Sequence, residues 1–153
     1  MFGEPLQALS LPLNLDAIFS EASLPWIPEA MTPRLNLVVL RASDPDRLAS
    51  FYSELGLSFT KHRHGTGPEH FACESQGSVF EIYPASSKNG PTVGIRLGFE
   101  VDDVIATVSR LVAIEAKLVS PPSDSPWGLR AVLKDFAGND LEIIGTLPAN
   151  HPG

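Results

Sequence analysis

The chain has 153 residues, of which 43% are apolar and 19% charged, with 18 acidic and 11 basic side chains and a formal charge of −7. This composition predicts one globular domain that is large enough to bury a core, and it excludes a disordered chain. The acidic balance argues against a nucleic-acid partner. No apolar run approaches the roughly 18–20 residues that cross a bilayer. The single cysteine, Cys73, excludes a disulfide framework within the chain. We therefore expect a cytoplasmic protein without a membrane partner.

The first 33 residues differ from the rest of the chain. They contain Pro5, Pro12, Pro25, Pro28 and Pro33 and show no regular hydrophobic period. We expect residues 1–33 to form an arm that packs on the surface or on a neighbouring subunit, with a lid over a site as the alternative. Residues 147–153 form a short tail.

Residues 34–85 predict a first module in the order strand, helix and three strands. Leu35–Ala42 is rich in Val and Leu, which favours a strand. Asp44 is a good helix N-cap, and Gly56 supplies the left-handed residue that ends the helix. The helix carries an apolar stripe that includes Phe51 and Tyr52, which we assign to the core. Three further strands are predicted at residues 57–62, 70–74 and 78–83.

The same order recurs in residues 92–146 after a turn-rich linker at residues 86–91. Strands are predicted at residues 93–101, 116–120, 129–134 and 141–145, with a loop over residues 121–128. Asp102 or Asp103 caps the helix. Superposing Asp44 on Asp103 places Gly56 on Glu115, so the chain is an internal duplication with a period of about 60 residues. Because Glu115 lacks the conformational freedom of glycine, we expect this helix to end differently or under local strain.

Several segments resemble one known superfamily. They are Leu37–Asp44, Phe51–Leu57, Phe80–Pro84, Arg96–Asp103, Trp127–Gly128 and Asp135–Ile143, which includes an Asp-x-x-Gly-Asn-x-x-Glu pattern. Together with the duplication, they resemble the vicinal oxygen chelate superfamily of glyoxalases, bleomycin resistance proteins and dioxygenases. The resemblance covers residues 34–146 and implies an α+β fold, in which two tandem βαβββ modules form a curled mixed sheet around a central cavity.

In metal-using relatives, the resemblance implies four ligands, which come from the first and last strands of each module. The corresponding residues here are Leu37, Glu81, Arg96 and Glu142. A leucine cannot ligate, and a permanently cationic arginine repels a divalent ion. We therefore expect the protein to hold no metal and no cofactor. Arg96 is expected to point toward Glu81 and Glu142, either as a buried ion cluster or as an accessible anchor for an anionic or carbonyl-bearing ligand.

Further candidates for ligand binding surround these positions. Tyr83 shares a strand face with Glu81, and Trp127 lies in a loop where an aromatic ring could stack on a planar molecule. His62, His64 and His70 cluster around one loop, and we interpret them mainly as loop or pocket-edge residues. A replacement metal set of His70 with Glu81 and Glu142 is a minor alternative.

The sequence thus predicts a homodimeric, metal-independent protein that binds a small molecule in the cavity between its modules. The acidic charge would suit a cationic ligand, although it is also an ordinary aid to solubility. The alternative is a lyase, isomerase or dioxygenase that uses Glu81 and Glu142 with a divalent metal. A structural or regulatory module with a collapsed cavity is the third hypothesis.

Overall fold

The computed structural model describes residues 32–146. All but the last two residues of the predicted arm, and the whole tail, lie outside this range, so the predicted packing of the arm does too. The described elements are β1 (Leu37–Ala42), α1 (Pro45–Ser53), β2 (Thr60–His62), β3 (His70–Ser75), β4 (Ser78–Pro84), β5 (Arg96–Val101), α2 (Val104–Ala113), β6 (Lys117–Ser125), β7 (Gly128–Lys134) and β8 (Asp140–Gly145). None of the described helices is long and apolar enough to cross a bilayer.

The strands form two sheets of four strands each, one per module. The first sheet has the order β1-β4-β3-β2 and the second has the order β5-β8-β7-β6. In each sheet the first and last strands of the module are parallel neighbours, and the other pairs are antiparallel. The predicted α+β fold of two tandem βαβββ modules is confirmed, with the strands divided between two open sheets.

Both helices begin as the sequence predicts. The side chain of Asp44 accepts a hydrogen bond from the backbone N–H of Arg47 at 3.0 Å. Asp103, rather than Asp102, caps α2 by accepting from the N–H of Ala106 at 2.9 Å. These carboxylates satisfy amide groups that have no partner inside the helix.

The predicted strain after the second helix is also confirmed. Gly56 follows α1 with φ of +88°, and Glu115 follows α2 with φ of +74°. A glycine adopts this left-handed conformation freely, whereas a residue with a Cβ atom does so at a cost. The duplication therefore preserves the backbone path at a position where the second copy has lost the glycine.

Three strand boundaries differ from those predicted. β2 begins at Thr60 instead of Leu57, and β5 begins at Arg96 instead of Val93, because Gly94 turns the chain with φ of +80°. β6 continues to Ser125 through Pro121 and Pro122, where a loop was predicted. Prolines are tolerated there because β6 is an edge strand, and its pairing with β7 shifts register around them.

The core lies between the helices and one face of each sheet. Leu40, Ile82, Leu141 and Ile143 are fully buried on these faces. Alternation along the strands directs the other side chains to the opposite face, which is more polar. We call these two surfaces the polar face of the first sheet and the polar face of the second sheet.

Buried contacts also join the two modules. The hydroxyl of Tyr52 on α1 donates a hydrogen bond to Asp135 in the second module at 3.0 Å. Asp135 accepts two further hydrogen bonds from Asn139, one from its backbone N–H and one from its side-chain amide. Part of the Asp-x-x-Gly-Asn pattern therefore has a structural role, since it holds a buried carboxylate that Tyr52 reaches from the other module.

Candidate functional site

The polar face of the first sheet brings three predicted site residues together. Glu81 and Tyr83 lie two positions apart on β4, and the pairing of β3 with β4 places His70 beside Tyr83. The rings of His70 and Tyr83 stack with their centroids 4.1 Å apart and their planes within 6°. Nε2 of His70 lies 3.8 Å from Oε1 of Glu81. These residues therefore form one local cluster, as their strand positions predicted.

Two further histidines extend this cluster. The ring centroid of His64 lies 5.1 Å from that of His70, and that of His62 lies 6.2 Å from it. On the other side, the guanidinium of Arg41 lies 5.5 Å from the centre of the Tyr83 ring. A row of rings thus crosses the polar face of the first sheet, from solvent-exposed histidines to a half-buried tyrosine.

The polar face of the second sheet holds a network of charges. Arg130 donates to Glu142 at 2.6 Å, and Lys134 donates to Asp140 at 2.5 Å. The hydrogen bond from Arg130 holds the pKa of Glu142 below its ordinary value, and the bond from Lys134 lowers the pKa of Asp140 in the same way. Both carboxylates therefore stay ionised and already have a close cationic partner.

Arg96 is attached to this network only at longer range. Its guanidinium lies 3.6 Å from Asp140 and 3.7 Å from Glu142, and its side chain is 54% exposed. A half-exposed arginine whose carboxylates have closer partners gains little from these contacts. The guanidinium is therefore free to bind another anionic or carbonyl group.

The predicted buried cluster of Glu81, Arg96 and Glu142 is corrected by these positions. Arg96 does approach Glu142, but it is not buried. Glu81 belongs to the other sheet, and within residues 32–146 neither an arginine nor a lysine lies within 4 Å of its carboxylate; its near neighbour is the ring of His70. The two carboxylates do not share one arginine, because Arg96 contacts Glu142 and Asp140 but not Glu81.

The four positions that the resemblance assigns to a metal do not fit one in this structure. Leu37 has no ligand atom and is 46% exposed. Arg96 brings a positive charge, and Glu142 is bound by Arg130. Only Glu81 could ligate, and one carboxylate is not enough to hold a transition metal. An enzyme that uses Glu81 and Glu142 together on one metal is therefore not favoured.

A groove with a volume of about 410 Å³ lies between the modules. Its apolar walls come from both sheets and include Val38, Phe80, Leu97 and Phe99, and Arg96 also lines it. Volumes of roughly 300–1,000 Å³ with apolar walls and few polar groups are typical of small-molecule sites. Among the predicted site residues, Arg96 is the one that the structure places at this groove.

Trp127 lies apart from the groove. It occupies the two-residue turn between β6 and β7, is 66% exposed, and lines a separate surface depression with Glu100 and Ile144. Trp127 is exposed because it lies at the tip of the hairpin formed by β6 and β7. The sequence predicted a loop over residues 121–128, but β6 occupies most of that segment. The predicted stacking role of Trp127 stays a prediction.

Sequence reasoning missed Arg130, Lys134 and the contribution of His64. The signal for the first two was present, because alternation along β7 places both cations on one face of the second sheet. His64 reaches His70 through the turn closed by the N–H of Gly67, which donates to the His64 carbonyl at 3.0 Å. No periodic pattern predicts the path of such a loop.

Comparisons with solved structures identify the fold. TnmS3, an antibiotic binding protein from Streptomyces sp. CB03234, superposes with a TM-score of 0.62 at 22% identity, over 78% of this chain and 100% of that one. A glyoxalase-related enzyme from Fulvimarina pelagi gives a TM-score of 0.60 at 23% identity, over 79% and 96%. TioX from Micromonospora sp. ML1 gives 0.57 at 23% identity, over 75% and 100%. The sequence matches no curated protein.

The family model agrees with the architecture. It matches residues 34–143, which include both predicted modules almost entirely. The match agrees with two features of the structure: the first and last strands of each module pair in parallel, and both helices are followed by a residue with positive φ. The chain belongs to the Glyoxalase/Bleomycin resistance protein/Dioxygenase superfamily.

Proposed function

We propose that the protein binds a small, largely apolar organic molecule that carries a carboxylate or carbonyl group, and that it does so in the groove between its modules. Arg96 carries the proposal, because it lines an apolar groove, is half-exposed and is held only loosely by Asp140 and Glu142. Its guanidinium can donate two parallel hydrogen bonds to such a group. Binding in the groove requires no metal.

The superfamily relationship supports this proposal at the level of ligand class. TnmS3, which has the same fold, is described as an antibiotic binding protein. The fold alone does not define a function, since unrelated activities occur on it. The chemistry of the groove in this chain therefore decides the proposed ligand: apolar walls for burial, and one cation for orientation. We place this activity in the cytoplasm, where a lone buried thiol such as Cys73 stays reduced.

A fluorescent probe tests the proposal. The dye 8-anilinonaphthalene-1-sulfonate is an aromatic anion that fluoresces in apolar sites, and we expect it to bind at one site per chain. Arg96→Met removes the charged donors and should weaken binding by at least about tenfold, because hydrogen bonds to charged groups contribute roughly 1.5–3 kcal/mol. Arg63→Met is the matched control, since Arg63 is exposed and does not line the groove.

A second pair of variants tests the location. Gly98 lines the groove, and a Cβ atom added there meets nothing within 4 Å, so Gly98→Leu fills the groove without a backbone clash. Gly90 has equally open surroundings but lies in the linker. We expect Gly98→Leu to abolish dye binding and Gly90→Leu to leave it unchanged. Unchanged binding by both Arg96→Met and Gly98→Leu would contradict the proposal.

We also propose that the protein is a homodimer that covers the polar faces of its sheets. Exposed apolar side chains on or beside these faces, such as Leu37 and Trp127, support this assembly. Light scattering at micromolar concentration should give twice the chain mass. Replacing Leu37 and Trp127 together by serine should reduce the mass to that of one chain. A monomeric wild-type protein would overturn this part of the proposal.

A further inference from the structure

His70 is buried in an unusual way for a histidine. Its side chain is 1% exposed, and within residues 32–146 its Nε2 atom has no hydrogen-bond partner. Leaving a buried polar atom unpaired costs free energy, so native proteins seldom do it without a ligand or another compensating group. The unpaired Nε2 atom faces Glu81, whose Oε1 lies 3.8 Å away.

The other nitrogen of His70 fixes which atom is available. Nδ1 lies 3.4 Å from the backbone carbonyl of Pro68. A carbonyl only accepts, so the neutral tautomer that fits this contact has its proton on Nδ1 and a lone pair on Nε2. Metal-binding histidines commonly donate their other N–H to a backbone carbonyl, which fixes the ring orientation. Stacking on Tyr83, with the planes within 6°, restricts the ring further.

A third ligand atom completes the group. One ring nitrogen of His64, one ring nitrogen of His70 and a carboxylate oxygen of Glu81 all lie within 4.8 Å of one another. Two atoms bound to zinc at about 2.0–2.1 Å with tetrahedral angles are about 3.4 Å apart. His64 is exposed on its loop. A small movement of its side chain would therefore shorten its distances to the other two ligand atoms, which are at most 4.8 Å, to the roughly 3.4 Å that a tetrahedral metal requires.

We propose that His64, His70 and Glu81 form a binding site for a divalent transition metal ion of the zinc type. Two imidazoles and one carboxylate suit zinc, and three protein ligands leave a fourth position for water or an oxygen atom of an organic molecule. The proposal replaces the sequence-based expectation that the protein holds no metal. It also differs from the replacement set of His70, Glu81 and Glu142, since His64 takes the place of a carboxylate that belongs to the other sheet.

This site is distinct from the four-residue position assigned by the resemblance. Its ligands all come from the first module, from β3, β4 and the loop before β3, and Glu81 alone is shared with that position. None of its three ligands lines the groove. Metal binding and dye binding are therefore separate measurements, and failure of one does not imply failure of the other.

The test uses the full-length, untagged protein after treatment with a chelator. Titration with zinc chloride in a calorimeter should give one ion per chain, and cobalt(II) should produce the visible absorption of a four-coordinate site. Loss of an outer partner of a metal site costs roughly 10–100-fold in affinity. His64→Ala and Glu81→Gln remove direct ligands, so each should weaken zinc binding at least that much.

His62→Ala is the matched control. His62 lies on β2 in the same row of rings, is also exposed and does not belong to the proposed ligand set. We expect His62→Ala to bind zinc as tightly as the wild type. His64 and His62 are both exposed, so their variants should fold, and circular dichroism checks this. Equal losses in the two histidine variants would show adventitious surface binding and overturn the proposal. Absence of zinc binding by the wild type at submillimolar concentration would also overturn it.

Discussion

On the polar face of the second sheet, the distances between individual side chains determine which cation pairs with each carboxylate. Glu142 lies 2.6 Å from Arg130 but 3.7 Å from Arg96. Both arginines have the same charge, so the shorter contact and the lower exposure of Arg130, 28% against 54%, make it the structural partner. Arg96 is left for a ligand, which agrees with the second of the two alternatives from the sequence, an accessible anchor, and not with the first, a buried ion cluster.

Comparing two arginine variants tests this division. Arg96→Leu should reduce the free energy of unfolding by at most about 1 kcal/mol, as expected for an exposed ion pair. Arg130→Leu should reduce it more, because it removes the donor that is hydrogen-bonded to Glu142. Since Arg130 lowers the pKa of Glu142, its contribution is present near neutral pH and is lost as acid protonates this carboxyl. Urea unfolding at pH 7 and at about pH 3, well below the ordinary pKa of a glutamate, measures both effects. A larger loss for Arg96→Leu would refute the assignment.

At the scale of elements, the two helices show what the duplication preserved. Each begins with an aspartate cap and ends beside a residue with positive φ. In the second copy, the residue is Glu115, whose side chain forms an exposed ion pair with Arg47 on α1. This contact links the modules, but an exposed pair offsets only part of the conformational cost of a left-handed residue with a Cβ atom.

Glycine and alanine variants isolate that conformational cost. Gly56→Ala should reduce the free energy of unfolding by about 1 kcal/mol, because an added Cβ atom meets no neighbour within 4 Å and the cost is purely conformational. Glu115→Gly should be more stable than Glu115→Ala by about the same amount. Both variants at Glu115 lose the ion pair, so their difference reports the backbone alone. Equal stabilities, measured by urea unfolding, would show that the helix end relaxes without strain.

At the scale of the whole molecule, the modules are joined through a shared core. Tyr52 is fully buried, contacts Phe80 of its own module and Phe99 of the other, and donates to Asp135. Burial, and then the adjacent Asp135 carboxylate, raise the pKa of the Tyr52 hydroxyl far above its ordinary value of 10.0. The phenol therefore stays neutral in the folded protein and donates its hydrogen bond to Asp135 across the two modules.

Tyr52→Phe should lower the free energy of unfolding at pH 7 by about 1.5–3 kcal/mol, the usual contribution of a hydrogen bond to a charged group. The wild type should also become less stable above about pH 10, because the unfolded chain releases the tyrosine proton while the folded chain retains it. The slope contributed by this residue is about 1.4 kcal/mol per pH unit. Tyr52→Phe should lack that contribution, and Tyr83→Phe is the control. Parallel pH profiles of wild type and Tyr52→Phe would contradict the buried contact.

The sequence by itself determined the properties that depend on local pattern. The repeat of Asp caps, apolar stripes and alternating strands predicted two βαβββ modules, and alternation put Glu81 and Tyr83 on one face. It also marked Glu115 as a residue under conformational strain. These predictions succeeded because strand alternation and helix capping involve neighbours within a few residues.

The tertiary structure alone decided which side chains meet across strands and loops. Strand register selected Arg130 instead of Arg96 as the close partner of Glu142, and the division into two sheets separated Glu81 from Arg96. The turn before β3 brought His64 to His70. Such contacts depend on register, sheet pairing and loop path, in which residues far apart in sequence determine each other's positions, and no local period in the sequence encodes them.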